Sequence, residues 1–158
     1  MADRQPMTLA GKAKLETELK NLIQVERPNV IKAIEEARGH GDISENADYD
    51  AAKDRQALIE GRIAEIQAKL ANAEVVDTSS LKSGTIIFGA TVELQDCETD
   101  EKVKYQIVGE DESDVKHGKI SIFSPIARSL IGKKKGDVIE FKSPKGEKEF
   151  EVLNFYFQ

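Results

Sequence analysis

The chain changes its hydrophobic period once. From residue 8 to 74, apolar positions recur at helical spacing among Ala, Glu, Lys, Leu and Ile, and Pro28 is the one proline. The cleaner half of this region carries Tyr49, Ala52, Gln56, Ile59, Ile63, Ile66, Leu70 and Ala73, alternately three and four residues apart, a sustained a/d seam. The half before it carries Leu15, Leu19 and Leu22, then Ile23, Val30, Ile34 and Ala37. Its seam slips by one residue between Leu22 and Ile23. Pro28, which lacks the N–H that a helix interior uses, follows closely. Because the apolar spacing resumes beyond it, the pattern predicts a bend there and not an end.

Two such helices can bury one another. In an antiparallel pair, facing residues share a constant index sum. Leu15 with Leu70, Leu19 with Ile66 and Leu22 with Ile63 share 85, and Val30 with Gln56, Ile34 with Ala52 and Ala37 with Tyr49 share 86. Both sums centre the turn at Asp42-Ile43. Arms of about 28–30 residues would each run roughly 42–45 Å. Gly39 and Gly41 suit a helix exit, Asp42 is an N-cap residue type, and Glu45 stands three residues later at capping-box spacing.

From about residue 75 the period shortens. The runs TIIF at 85–88, ATVELQD at 90–96, VKYQIVG at 103–109, KISIF at 119–123, DVIEF at 137–141 and EFEVLNFYF at 149–157 read as strands. Pro144-Lys145-Gly146 predicts a hairpin turn between the last two. SPIARSLIGKKKG reads as a short amphipathic helix beginning near Pro125. The fold class is therefore α+β: an N-terminal antiparallel coiled-coil hairpin over 1–76, with its acidic tip near 42–45, then a small antiparallel sheet with one short helix over 77–158.

Composition narrows the function. Net charge is -6, which argues against a general nucleic-acid coat. Cys97 is the single cysteine, so no intrachain disulfide forms and a reducing compartment fits. No apolar run suits a membrane span and the N-terminus has no signal-peptide core, so the expected location is cytoplasmic with no membrane partner. A seam satisfied within one chain predicts a monomer.

The tip is the chemically loaded part. HGDISENADYDAAKD, residues 40–54, holds Asp42, Glu45, Asp48, Asp50 and Asp54 against one Lys53. As an EF-hand beginning at Asp42 it fails, because the sixth position is Ala47 and the twelfth is Lys53. Cys97, His40 and His117 are too scattered for zinc. Two readings stand side by side. Asp42 and Glu45 cap the second helix and favour its positive dipole end. Alternatively they add hard oxygen ligands to a Mg²⁺ centre that another molecule completes.

Four separated stretches carry a resemblance. PMTLAGKAKLETEL, GDISENADYDAAK, GTIIFGATVEL and SPIARSLIGKKKGD, in this order along nearly the whole chain, resemble the bacterial transcript cleavage factors of the GreA/GreB family. IGKKKGD is nearer the GreA side of that family. The resemblance implies an FKBP-like second domain that docks at the secondary channel of RNA polymerase. It also implies a hairpin that reaches the catalytic Mg²⁺ and stimulates the polymerase's own cleavage of backtracked RNA. The chain would then be no enzyme itself and have no cofactor of its own, only Mg²⁺ shared with RNA polymerase. It would meet the nascent RNA 3′ end within the complex.

Residue by residue, the resemblance makes Asp42 and Glu45 the tip acids that assist polymerase and share its metal. It makes Asn46 and Tyr49 tip support, Arg38, Lys53 and Arg55 RNA contacts, and Ser124 and Pro125 polymerase docking residues. Asp48 stands where Glu is frequent, and Asp50 where some members have His. Competing expectations are a channel-binding polymerase inhibitor without cleavage activity and an FKBP-like isomerase or chaperone. The few aromatics in the sheet argue against the isomerase.

Overall fold

The computed structural model describes residues 4–39 and 46–158. By contact the chain divides into two units. One is Lys12–Ala73; the other joins Arg4–Gly11 to Glu74–Gln158. The sequence had suggested a boundary at 76/77, and the contacts also gather the first described residues into the second unit.

The helical unit is built from α1 (Leu9–Asn21) beyond Gly11, α2 (Arg27–Arg38) and α3 (Ala47–Ala71). Between α1 and α2 the helix does not stop. Residues Leu22–Glu26 form a π-turn, in which the Arg27 N–H bonds the Leu22 carbonyl five residues back. The π-turn accommodates one extra residue, which accounts for the one-residue slip of the seam between Leu22 and Ile23. Pro28 is the second residue of α2, directly after the π-turn, where the hydrogen-bond ladder already changes its spacing. Val30, Ile59 and Ile63 form the buried centre, with Leu19, Leu22 and Ile23 packed against it. Ala52 and Ile66 are buried as well, so the seam read from spacing is the one that packs.

Ion pairs tie the two arms along their flanks. Arg27 chelates Glu60 through two bonds of 2.7 and 2.8 Å, Arg62 chelates Glu18 at 2.7 and 3.0 Å, and Arg55 meets Glu26 at 2.6 Å. Such exposed pairs add little stability, but the forked geometry favours one register.

The second unit begins with β1 (Gln5–Thr8), which pairs with β2 (Ala73–Val76) in a two-stranded sheet that the sequence did not predict. The start of α1 is fixed here. Thr8 Oγ1 accepts the Gly11 N–H at 3.0 Å and donates to Glu112 Oε1. The other Glu112 oxygen takes the N–H groups of Thr8 and Gly109, both at 3.0 Å.

The main sheet has β3 (Thr91–Asp96), β4 (Lys102–Val108), β5 (Lys119–Ser121), β6 (Val138–Ser143) and β7 (Gly146–Tyr156), in the order β5-β4-β3-β7-β6. Three of its pairings are antiparallel, as expected. The β4–β5 pairing is parallel, so the sheet is mixed. The intervening chain, with 3₁₀ turns at Glu110–Glu112 and Val115–His117, crosses back before β5 begins. Gly118 closes that crossover at φ 73, and a Cβ there would stand 2.8 Å from the Lys104 carbonyl oxygen.

TIIF at 85–88 is not a strand. Ile86 is fully buried, and its N–H and C=O bond to Lys133 and Gly132, each at 2.8 Å, in place of a sheet neighbour. The short helix α4 (Pro125–Leu130) sinks Ala127 and Leu130 into the same core as Val92, Leu94, Ile107 and Val152.

Candidate functional site

The sequence's site residues fall in two places, one in each unit. Where the helical hairpin turns, α2 finishes at Arg38 and α3 starts at Ala47. The connecting stretch is centred between Asp42 and Ile43, as the index sums require. Asp42 and Glu45 themselves lie outside the described residues.

What is described is how the hairpin closes on either side. Asn46 is the N-cap of α3, with extended φ -87 and ψ 96, and its Oδ1 accepts the Tyr49 N–H at 3.1 Å. This corrects the sequence reading, which gave the cap to Asp42. Asn is among the best N-cap types, and Asn46 stands immediately before the first helical residue. The Nδ2 of the same side chain donates to the Ala37 carbonyl across the hairpin at 2.5 Å. Asn46 is 9% exposed and Ala37 is 3% exposed.

Tyr49 is half-buried, and the Arg38 guanidinium lies 6.0 Å from its ring centroid, within cation–π range. Arg38, Asn46 and Tyr49 thus form one contact group. Lys53 and Arg55 do not join it. Lys53 is exposed and its Nζ reaches Gln56 at 3.3 Å. Arg55, nine residues along α3, sits roughly 13 Å up the helix and is engaged with Glu26. Asp48 and Asp50 occupy the first turn of α3, where negative charge meets the helix dipole favourably.

In the second unit Ser124 is the N-cap of α4 and Pro125 its first residue. Ser124 Oγ donates to the Ser121 carbonyl at 2.7 Å and accepts the Ala127 N–H at 3.3 Å. Phe123, one residue earlier, is 44% exposed, an apolar feature beside Ser124 and Pro125. His117 faces solvent and its Nδ1 lies 2.6 Å from Asp114 Oδ2. That hydrogen bond, above all, holds the Asp114 carboxyl below its usual range. Cys97 is exposed in the turn after β3. Its thiol is raised above the ordinary value, first by desolvation and then by Glu149 and neighbouring carboxylates, so it is a poor nucleophile.

Among the described residues no group of three or more His, Cys, Asp or Glu side chains could hold a metal ion. No helix among them is long and apolar enough to cross a membrane.

Comparison with known proteins places this arrangement. A family model described as transcription elongation factor, N-terminal, matches residues 5–75, and one described as transcription elongation factor, GreA/GreB, C-term, matches residues 81–157. The chain is similar to the transcription elongation factor GreA of Beijerinckia indica, 56% identical over 156 residues and 99% of each chain. Against that of Thioalkalivibrio sulfidiphilus it is 55% identical over 151 residues, 95% of this chain and 96% of the other. Among solved structures, GreA factor homolog 1 (Gfh1) of Thermus thermophilus aligns over 97% of this chain and 99% of its own at 29% identity, with a TM-score of 0.44. Both family models together span nearly the whole chain, and the relatives match from end to end: the chain belongs to the GreA/GreB family of transcription elongation factors.

Proposed function

We propose that the chain rescues backtracked RNA polymerase by presenting Asp42 and Glu45 at the enzyme's catalytic Mg²⁺ through the secondary channel. The observation that carries this reading is the closure of the hairpin. α2 ends and α3 begins symmetrically about the stretch that bears both acids, and paired side chains hold the arms in one register behind it. A carboxylate pair at the end of a packed helical rod reaches a recessed centre with little conformational entropy to lose on arrival.

Asp42 and Glu45 are hard oxygen donors, the kind Mg²⁺ takes in small number when phosphates and water complete its shell. Bound there, the ion supplies positive charge at the scissile phosphate and acidifies a water. The chain's own part would be to supply the two carboxylates, which would accept hydrogen bonds from that water. Arg38, exposed beside the Tyr49 ring, would contact an RNA phosphate. Lys53 and Arg55 offer positive charge further along α3. Ser124 and Pro125, with the exposed Phe123 ring before them, form the docking end. The protein itself would cleave nothing, act as a monomer, and work in the cytoplasm where polymerase is.

One groove among the described residues does not suit the isomerase reading. The groove between α4 and β6, about 410 Å³, is lined by Arg128, Ser129, Ile131, Lys133, Val138, Ile139 and Glu140, with no aromatic ring among them. A proline pocket needs an apolar, largely aromatic lining.

The test is RNA cleavage by a stalled elongation complex, with and without the protein. Wild type should accelerate cleavage, and Asp42→Asn or Glu45→Gln should abolish the acceleration while polymerase binding survives. Cleavage at the wild-type rate by either variant removes the metal-positioning role. Binding that blocks elongation without stimulating cleavage selects the inhibitor reading.

A further inference from the structure

β6 is the outer strand of the main sheet, with β7 on one flank and no strand on the other. Its pairing with β7 fixes which backbone groups stay free. The Val152 N–H bonds the Asp137 carbonyl at 2.8 Å, and Ile139 then pairs with Phe150, Phe141 with Lys148 and Ser143 with Gly146. In an antiparallel ladder the groups point alternately to the two sides, so those of Val138, Glu140 and Lys142 point outward. All three side chains are exposed, whereas Ile139 is buried and Phe141 half-buried. Ser129 Oγ lies 3.4 Å from the Glu140 carbonyl but donates to Pro125 at 3.0 Å, so that carbonyl is still able to accept.

The order of charges along this edge is self-complementary. Set a second copy antiparallel beside it, with Phe141 on the two-fold axis. Glu140 then faces Lys142 of the second copy, and Lys142 faces Glu140 of the second copy. Both are hydrogen-bonded positions, each exchanging two backbone bonds. Phe141 meets its own counterpart at a non-hydrogen-bonded position, where side chains come closest and aromatic pairs are favourable. Moving the axis to Glu140 or to Lys142 opposes like charges instead. Within one chain Glu140 faces Glu149 across the β6–β7 ladder, and the incoming lysine brings a cation to that acidic pair.

We propose that β6 is a self-pairing edge, through which two copies of this chain join as an antiparallel pair centred on Phe141, with Glu140 of each against Lys142 of the other. A charged edge ordinarily turns strands away. Here the charge order admits one strand in one register, its own reversed copy. The contact is short, so the pair belongs with weak, concentration-dependent associations. It is a property of the free protein and does not rest on the proposed function, in which a single copy acts.

The charges allow a test by exchange. Glu140→Lys sets lysine against lysine in its own pair, and Lys142→Glu sets glutamate against glutamate. Mixed together, the two variants face each other with opposite charges at both positions.

The experiment is sedimentation of the full chain at low salt, over a concentration series up to about 1 mM. Backbone amide exchange at Glu140 and Lys142 is followed over the same series. Wild type should pass from monomer to dimer, with both amides gaining protection as it does. Each variant alone should dimerise at least about tenfold more weakly, because like charges then stand directly opposed. The equimolar mixture should regain dimer near the wild-type concentration.

A wild-type chain that stays monomeric over the whole series overturns the proposal. So does a dimer that forms without protecting the two amides, or one that either variant alone retains at full strength, since another surface would then hold it. A mixture that associates no better than its components also overturns it.

Discussion

Ile59 and Leu58 are adjacent on α3, and truncating each to Ala removes the same three carbons. Ile59 is 6% exposed and packs in the cluster with Val30 and Ile63, whereas Leu58 is 75% exposed. For Ile59→Ala the transfer loss is about 2.5 kcal/mol at about 0.8 kcal/mol per methylene. The cavity left between two helices that cannot fully collapse brings the cost to about 2–5 kcal/mol. Alanine's better helix propensity returns only a few tenths. For Leu58→Ala the change should stay within about 0.5 kcal/mol. The helical unit is roughly 60 residues, a size for which each kcal/mol moves the midpoint by about 4–8 °C. Ile59→Ala should therefore lower the helical melting transition by roughly 8–40 °C, and Leu58→Ala should shift it by no more than about 4 °C. Thermal melts followed by far-UV circular dichroism read this directly. Equal midpoints for the two variants would refute the packing argument, since apart from a few tenths of a kcal/mol in helix propensity only burial distinguishes the positions.

Two further outcomes test the second unit. Glu140 and Glu149 face each other across β6 and β7, and Glu149 is raised above its ordinary 4.5, first by the hydrogen bond with Glu140, then by that residue's charge, then by burial. A carboxyl raised in the folded state contributes stability that is complete below its unfolded value and is lost as pH rises through the raised one. The melting difference between wild type and Glu140→Ala should thus move against wild type as pH climbs from the acid side; a constant difference over that range would rule out the shared proton. Ser124→Ala removes both bonds of the α4 cap and should cost about 1 kcal/mol, while Ser124→Asp, which keeps the acceptor, should cost less. Equal denaturant midpoints for those two variants would show that the Ala127 bond contributes nothing.

Legibility in the sequence followed the strength of the physical constraint. The hairpin was readable because a two-helix seam allows one period and one index sum, and Ile59, Ile63 and Ile66 satisfy both. The slip at Leu22/Ile23 was visible too, but a slip alone does not distinguish a proline bend from a π-turn. The Arg27–Leu22 hydrogen bond does. β1 and β2 went unread because each is four residues with partners more than sixty positions away, too short for alternation to register. TIIF had strand composition, yet a fully buried Ile86 served by a loop satisfies the same preference. At the tip, spacing favoured Asp42 as the cap because it measures only sequence separation. The backbone instead turns into helix at Asn46, where a polar side chain has two partners to serve.

The position of β7 inside the main sheet has a consequence for synthesis. It lies between β3 and β6, although it follows every other strand in sequence. On a ribosome, β3 and β4 emerge with one flank open, and β6 has no sheet to join until residues through Tyr156 have cleared the exit tunnel. The helical arms, being near neighbours in sequence, are free to zip well before that. Nascent chains of this protein therefore pass through a stage with a finished rod and an unclosed sheet. In that interval the bare β3 edge is the surface a holdase would need to shield.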